Sequence, residues 1–142
     1  MPKHVLVVDD EELMCSLLSS GLSNAGFLVT TAKDATEALA LLADGAAAPA
    51  PVDLLLTDFN MPRLTGLDLV DAVRRSGVEL PCFLMSGDTD ESLAAKALSR
   101  GCAGFIGKPF KLPALVGHMR QALEPSTAPQ EQAPMALEAQ GH

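Results

Sequence analysis

Six polar side chains come directly after apolar runs of the chain, at points where buried strands would end. They are Asp9, Asp10 and Glu11 after VLVV, Asp58 after LLLT, Ser86 after CFLM, and Lys108 after GFIG. Ligands of open α/β sheets bind beyond the carboxyl ends of the strands, so we expect these side chains to meet at one edge. One acid after a strand is commonplace, but several acids with a hydroxyl and a lysine are not.

The chemistry of such a group follows from its charges. Crowded carboxylates repel one another and need a cation, and a cluster of oxygen ligands suits Mg²⁺. A metal beside a carboxylate nucleophile, with Lys108 and Ser86 to receive phosphoryl oxygens, is suited to forming an aspartyl phosphate on Asp58. These residue types therefore indicate phosphoryl transfer to a carboxylate.

Short apolar runs alternate with segments of helical period along the chain. The predicted strands cover residues 4–8, 27–31, 52–57, 80–85 and 103–106. Five predicted helices lie after them, and the clearest apolar stripe is the last, formed by Leu112, Leu115, Val116, Met119 and Leu123. Five such pairs predict an α/β fold with a doubly wound, five-stranded parallel sheet.

Turn and cap residues agree with these elements. Asn24 and Gly26 are predicted to end the first helix, Asp34 to cap the second, and Gly77 and Gly101 to end the third and fourth. Gly66 is expected to serve close packing or a turn where the third helix begins. Asp88 or Thr89 with Glu91 resembles a capping box for the fourth helix.

The domain boundary is predicted from composition. Residues 1–124 form the predicted domain, interrupted by a flexible connection at 45–51 (GAAAPAP). Residues 125–142 are rich in Pro, Ala and Gln and are predicted to be a disordered tail, in which Met135-Ala-Leu137 could be a weak binding segment.

Composition excludes several classes of function. The formal net charge of −8 argues against nucleic-acid and anionic-membrane partners, which are bound chiefly by Lys and Arg. Three cysteines without CxxC spacing indicate neither a disulfide framework nor a zinc site. No apolar run is long enough to span a membrane and no signal peptide is recognisable, which predicts a cytoplasmic location.

Four motifs, VVDDEE, LLLTDFNMPRLTGLDL, FLMSG and GFIGKPF, resemble in order and spacing those of bacterial two-component response-regulator receiver domains. The resemblance covers about residues 3–124, and it rests on the four together, because any one alone would be weak. It implies a flavodoxin-like (βα)5 fold with strand order 2-1-3-4-5.

The resemblance also implies roles for individual residues. Asp58 would accept phosphate from a sensor histidine kinase, a histidine phosphotransfer protein or a small phosphodonor. Asp10, Asp58 and the main-chain carbonyl of Asn60 would bind Mg²⁺ directly, and Asp9 would bind it through water. Lys108 would bind the phosphoryl group and precede a cis proline. Ser86 and Phe105 would form the switch, with Phe105 in place of the commoner Tyr.

This family implies a signalling phosphoacceptor that promotes its own Mg²⁺-dependent phosphorylation and dephosphorylation, not an enzyme. It would act on a downstream protein through the face of the fourth helix, fifth strand and fifth helix, as a monomer or weak dimer. The sequence leaves open whether an output domain is missing. A receiver fold that binds a partner without being phosphorylated is the main alternative.

Ordinary interpretations exist for each residue taken singly. Asp9, Asp10 and Glu11 could favour the positive end of the first helix, Asp58 could be a turn residue, and Ser86 a capping hydroxyl. Lys108 could be a solvated lysine and Phe105 a core residue. A haloacid-dehalogenase-type phosphatase would need an acid where Asn60 stands, and a P-loop would need Ser or Thr where Pro109 stands.

Overall fold

The predicted alternation of strands and helices is present in the computed structural model, which describes residues 2–43, 51–87 and 91–124. The strands are β1 (His4–Val8), β2 (Leu28–Ala32), β3 (Leu54–Asp58), β4 (Cys82–Ser86) and β5 (Gly104–Gly107). The helices are α1 (Glu12–Asn24), α2 (Ala35–Ala43), α3 (Gly66–Arg75), α4 (Glu91–Ser99) and α5 (Leu112–Leu123). The connection at 45–51, apart from Pro51, lies outside the described residues, as do the tail and Asp88 and Thr89 of the predicted capping box.

All strand pairs are parallel and the sheet order is β2-β1-β3-β4-β5, which confirms the predicted fold class. The observed strands β2 to β5 begin one or two residues later than predicted, and each ends one residue later. Pro81 explains the late start of β4, since it has no N–H to donate to the ladder. Because of this offset, Asp58 and Ser86 are the last residues of their strands and not the residues after them.

Helices cover both faces of the sheet, as the nearly continuous apolar strands require. Along β1, Val5 and Val7 face α1 and α5, while Leu6 and Val8 face α2, α3 and α4. None of the helices in the described residues has the length and apolar composition needed to cross a bilayer. A hydrophobic core lies on each face of the sheet. These two cores hold the strands in place, and the strands determine where their last residues lie.

Side-chain caps position the start of two helices. Asp34 Oδ1 accepts the Glu37 N–H at 2.8 Å, which confirms the predicted cap of α2. Thr65 and Asp68 form a reciprocal capping box at α3, with bonds of 3.2 and 3.0 Å, which the sequence patterns did not identify. The start of α3 directly after the β3 loop is therefore held rigidly.

Arg63, in the loop between β3 and α3, has a φ of 71° although it carries a side chain. The Leu64 N–H donates to the Pro62 carbonyl at 2.8 Å, so Arg63 is the central residue of a tight three-residue γ-turn. A left-handed conformation costs a non-glycine residue about 1–2 kcal/mol.

We therefore expect Arg63→Gly to stabilise the protein by about 0.5–1 kcal/mol, after allowing for the greater backbone entropy of glycine in the unfolded chain. Arg63→Ala keeps the β-carbon and should give no such gain. Urea denaturation of the three proteins measures the difference. A less stable Arg63→Gly protein would show that the arginine side chain makes stabilising contacts that outweigh the backbone cost.

Candidate functional site

Three acids meet at the carboxyl edge of the sheet, as predicted. One carboxylate oxygen from each of Asp9, Asp10 and Asp58 lies within 4.8 Å of the others. Asp9 and Asp58 are almost fully buried, with 1% and 6% of their surface exposed, and Asp10 is exposed. The central strands β1 and β3 are neighbours in the sheet, so their ends bring these acids together.

Lys108, from the loop that follows β5, reaches across this edge to the acids. Its Nζ lies 3.0 Å from Asp58 Oδ1 and 3.6 Å from Asp9 Oδ2. The Lys108 N–H donates to the Ser86 carbonyl at 2.8 Å, which ties the loop to the end of β4. The Lys108–Pro109 peptide bond is cis, as the resemblance implies. Lys108 is therefore an ion-pair partner of the cluster and not a solvated lysine.

The two carboxylate oxygens of Asp9 have different environments. Oδ1 accepts the N–H of Glu11, the residue directly before α1, at 2.9 Å. Oδ2 is buried and accepts no hydrogen bond from the described residues, since Lys108 Nζ is too far away. A buried carboxylate oxygen without a hydrogen bond is costly, and a hydrated divalent cation beside it would remove that cost. The oxygen donors of this cluster therefore fit Mg²⁺.

Burial and charge oppose each other in the titration of the cluster. Burial, together with the like charges of the neighbouring acids, raises the pKa of Asp58 and of Asp9, and Lys108 offsets only part of this rise. Burial alone would lower the pKa of Lys108, but its hydrogen bond to Asp58 and the charges of both acids outweigh burial and raise it. The lysine therefore stays protonated, and its charge relieves only part of the mutual repulsion of the acids.

The remaining predicted residues lie around the same edge. Asn60 is exposed in the loop two residues after Asp58, and Ser86 is buried at the end of β4. Phe105 is 4% exposed and belongs to the core layer that includes Leu84, Leu93 and Ala97. Leu84 pairs with Phe105 in the sheet, so the alternation of side chains puts Ser86 and Phe105 on the same face.

Several contacts of the site were not identified from the sequence. The Cys15 thiol donates to the Asp9 carbonyl at 3.2 Å, and the Thr57 hydroxyl donates to the Asp58 carbonyl at 3.0 Å. Gly66 lies directly against the Asp58 main chain. A small residue at 66 was predicted to serve packing, but no pattern in the sequence indicated its partner.

Comparison with known proteins agrees with this geometry. The response regulator receiver domain family matches residues 5–120. The response regulator MprA of Mycobacterium sp. (strain KMS) is 35% identical over 131 residues, which are 92% of this chain and 54% of that protein. The DNA-binding transcriptional regulator NtrC of Azospirillum brasilense is 33% identical over 125 residues, 88% of this chain and 25% of that protein.

Solved structures give the same result. The chemotaxis response regulator CheY4 of Vibrio cholerae superposes with a TM-score of 0.75 at 31% identity, covering 87% of this chain and all of that one. The signal receiver domain of an HD domain-containing protein from Pseudomonas fluorescens Pf-5 gives a TM-score of 0.77 at 31% identity, with 87% and 95% coverage. The chain spans about half the length of the MprA proteins that it matches. In sequence, strand order and fold, the chain belongs to the response regulator receiver domain family of two-component systems.

Proposed function

We propose that this receiver is a phosphorylation switch of the cytoplasm whose acceptor is the carboxylate of Asp58. The proposal rests on one observation, the nearly buried Asp58 carboxylate 3.0 Å from the Lys108 ammonium and within a cluster that includes Asp9 and Asp10. The donor would be a sensor histidine kinase or a histidine phosphotransfer protein. Residues 125–142 would be a tail attached to the domain of residues 1–124.

In the proposed reaction, an Asp58 oxygen attacks the phosphorus atom of a phosphohistidine. A phosphorus–oxygen bond forms, the phosphorus–nitrogen bond breaks, and its electron pair returns to the imidazole. Lys108, whose Nζ lies 3.0 Å from Asp58 Oδ1, would neutralise negative charge on the phosphoryl oxygens throughout the transfer. Ser86, at the end of the neighbouring β4, is the hydroxyl proposed to donate to a phosphoryl oxygen once the aspartyl phosphate has formed.

Asp9, Asp10, Asp58 and the main-chain carbonyl of Asn60 are the residues proposed to hold Mg²⁺. When bound, this ion would neutralise charge on the acids and on the transferring group. Self-catalysed hydrolysis of the aspartyl phosphate belongs to the same proposal. It needs only a water molecule in line with the phosphorus atom, and Asp58 is open to solvent over 6% of its surface.

A downstream protein would recognise the phosphorylated state through the face formed by α4, β5 and α5. The arrangement of Ser86 and Phe105 supports this route, because both lie on the face of the sheet that packs against α4. A hydrogen bond from Ser86 to the phosphoryl group would stabilise one conformation of this face relative to another. Such a difference shifts the equilibrium between the two conformations. Phe105 has no hydroxyl, so its part in the switch is limited to packing.

The experiment that tests the function is phosphorylation of the whole chain by acetyl phosphate with Mg²⁺. One acid-stable, hydroxylamine-labile phosphate is expected per molecule, and peptide mapping should place it on Asp58. A chain that stays unphosphorylated with every small donor and every kinase of a panel would support the alternative of a binding module.

Helix α1 offers an apolar surface beside the site for a protein donor. Leu13 and Leu17, one turn apart, are 77% and 60% exposed, more than any other large apolar side chain of the described residues. Leu13 lies in the first turn of α1, directly after the acids. Exposed apolar side chains next to a site often mark where a protein partner binds.

We expect Leu13→Ala with Leu17→Ala to slow phosphotransfer from the cognate kinase by about tenfold or more, since burying two leucines contributes several kcal/mol. Phosphorylation by acetyl phosphate should not change, because that donor needs no docking surface. Val78→Ala, which truncates an exposed apolar side chain in the loop after α3, is the matched control. Equal kinase rates for all three proteins would exclude this docking surface.

A further inference from the structure

The main chain at the acceptor is held from three directions. The Phe59 N–H donates to the Met85 carbonyl of β4 at 2.8 Å, and the Gly66 N–H of α3 donates to the Phe59 carbonyl at 3.0 Å. The Thr57 hydroxyl donates to the Asp58 carbonyl at 3.0 Å, inside the protein. The peptide groups on either side of Phe59 therefore have little freedom to move relative to β4 and α3.

Gly66 makes the closest approach to this segment. A β-carbon at position 66 would lie 2.4 Å from the Asp58 carbonyl oxygen and 2.7 Å from Leu84 Cδ1. Ordinary contacts between such atoms are about 3.5 Å, so a side chain here would displace α3 or the acceptor by roughly 1 Å. Gly66 is buried and its φ is not left-handed, so space and not backbone conformation requires the glycine.

The Asp58 carbonyl cannot easily move away from an added β-carbon. It belongs to the last residue of a central strand and accepts the Thr57 hydroxyl. The start of α3 is also fixed, since the Thr65 and Asp68 capping box holds its first turn. Displacement would therefore change the position of the Asp58 carboxylate relative to Lys108, and that of the Asn60 carbonyl, which follows Phe59 directly.

We propose that Gly66 is a positioning residue for the phosphoacceptor: the first turn of α3, packed without a side chain against Asp58, sets where the Asp58 carboxylate and the Asn60 carbonyl stand. This inference rests on the proposed function. Catalytic geometry must be kept to a fraction of an ångström, and an error near 1 Å can reduce rates about a hundredfold. Gly66 acts only through the acceptor and its neighbours.

The test compares Gly66→Ala with Gly101→Ala. Gly101 has a φ of +93°, and a β-carbon there would lie 2.7 Å from the Arg74 guanidinium carbon, so its substitution should also destabilise the fold. It precedes β5, at the end of that strand remote from Lys108. Mg²⁺ affinity by calorimetry and the rate of phosphorylation by acetyl phosphate are measured at a temperature where all proteins are folded.

Gly66→Ala is expected to weaken Mg²⁺ binding about tenfold and to slow phosphorylation by about ten- to a hundredfold. Gly101→Ala should lose stability yet keep both values. Wild-type Mg²⁺ affinity and rate in Gly66→Ala would overturn the inference, and so would equal losses in the two variants, which would indicate general destabilisation.

Two further measurements keep the inference separable from the proposed function. If the wild type neither binds Mg²⁺ nor takes up phosphate, the proposed function fails. The amide signals of Asp58, Phe59 and Asn60 in the metal-free protein then test the positioning role of Gly66, since they should shift in Gly66→Ala and not in Gly101→Ala.

If Gly66→Ala does not fold, Thr65→Ala loosens the same turn by removing its cap, and it should weaken Mg²⁺ binding about two- to threefold. Unchanged signals or unchanged affinity would overturn the positioning role.

Discussion

The Asp58→Asn protein is expected to take up no phosphate from acetyl phosphate and Mg²⁺ under conditions in which the wild type takes up one. An amide is not a nucleophile towards phosphorus at neutral pH, whereas the Asp58 carboxylate is held next to a protonated lysine. The other buried acid, Asp9, uses one oxygen to accept the Glu11 N–H, and its second oxygen has less than 1 Å² of accessible surface. The loss should therefore be complete, and intact-mass spectrometry measures it directly.

Asp53→Asn is the matched control for this experiment. Asp53 precedes the same strand, at the opposite end of the sheet, and its Oδ2 accepts the His4 N–H. An asparagine oxygen can accept the same bond, so this variant should stay folded and be phosphorylated at the wild-type rate. A phosphate that persists in Asp58→Asn would contradict the assignment of the acceptor.

The second large effect concerns the metal-free stability of the acid cluster. Asp10→Asn should raise the melting temperature in EDTA by roughly 3 to 5 °C, which corresponds to about 1 kcal/mol. Two unit charges 4.8 Å apart repel by about 3.5 kcal/mol at an effective dielectric constant of 20. The exposure of Asp10 and the charge of Lys108 offset most of this repulsion. The same substitution should weaken Mg²⁺ binding about tenfold or more, because it removes one of the proposed charged ligands.

Glu12→Gln removes the same charge from the first turn of α1 without touching the cluster. An acid at this end of a helix is favourable, so this control should be slightly less stable than the wild type. Asp58→Asn is a poorer comparison, since it also removes the 3.0 Å ion pair with Lys108. A fall of 1 kcal/mol or more in the metal-free stability of Asp10→Asn would mean that the proposed Mg²⁺ site is wrong.

The pH dependence of stability has the same origin. Burial and like charge raise the pKa of Asp9 and Asp58 above 3.8, the ordinary value of an aspartate, so the folded state binds more protons than the unfolded chain. Stability must then fall as pH rises through the folded pKa values. In EDTA, the free energy of unfolding of the wild type should increase as the pH falls from neutrality towards 3.8. Asp10→Asn should show a smaller increase, because one of the like charges that raise both pKa values is gone.

Binding of Mg²⁺ should reverse the penalty in the wild type. A ligand at ten times its Kd stabilises the folded state by about 1.4 kcal/mol, which a thermal scan resolves. The metal-dependent gain should be smaller in Asp10→Asn and close to that of the wild type in Glu12→Gln.

The sequence by itself determined the fold class and the edge at which the site lies. Apolar runs of strand length alternating with helical stripes leave a doubly wound parallel sheet as the architecture, because both sheet faces must be covered. Once the strands are parallel, their carboxyl ends share an edge, so the acids of β1 and β3 had to converge there. The choice of Asp58, Asp9, Asp10, Ser86 and Lys108 as candidate residues followed from that rule and from the family motifs. Their catalytic and ligand roles remain predictions.

The tertiary structure decided what depends on distance between segments. Sequence periodicity assigns a side chain to a face, but it does not say how closely two elements approach. Examples are the 3.0 Å ion pair of Lys108 with Asp58, the buried Asp9 Oδ2 that accepts no hydrogen bond from the described residues, and the hydrogen bond from the Cys15 thiol to the Asp9 carbonyl. Strands β2 to β5 also begin one or two residues later than predicted, since ladder pairing and not local apolarity sets where a strand begins.

Arg63 and Gly66 show the same limit most clearly. Arg63 adopts a left-handed conformation that no local propensity favours, because the short connection from β3 to the capped start of α3 requires a tight turn there. Gly66 is eight residues from Asp58 along the chain, yet its missing side chain lets α3 contact the Asp58 main chain. Close packing of this kind depends on the positions of whole elements, and these are settled only when the two cores on either side of the sheet are filled.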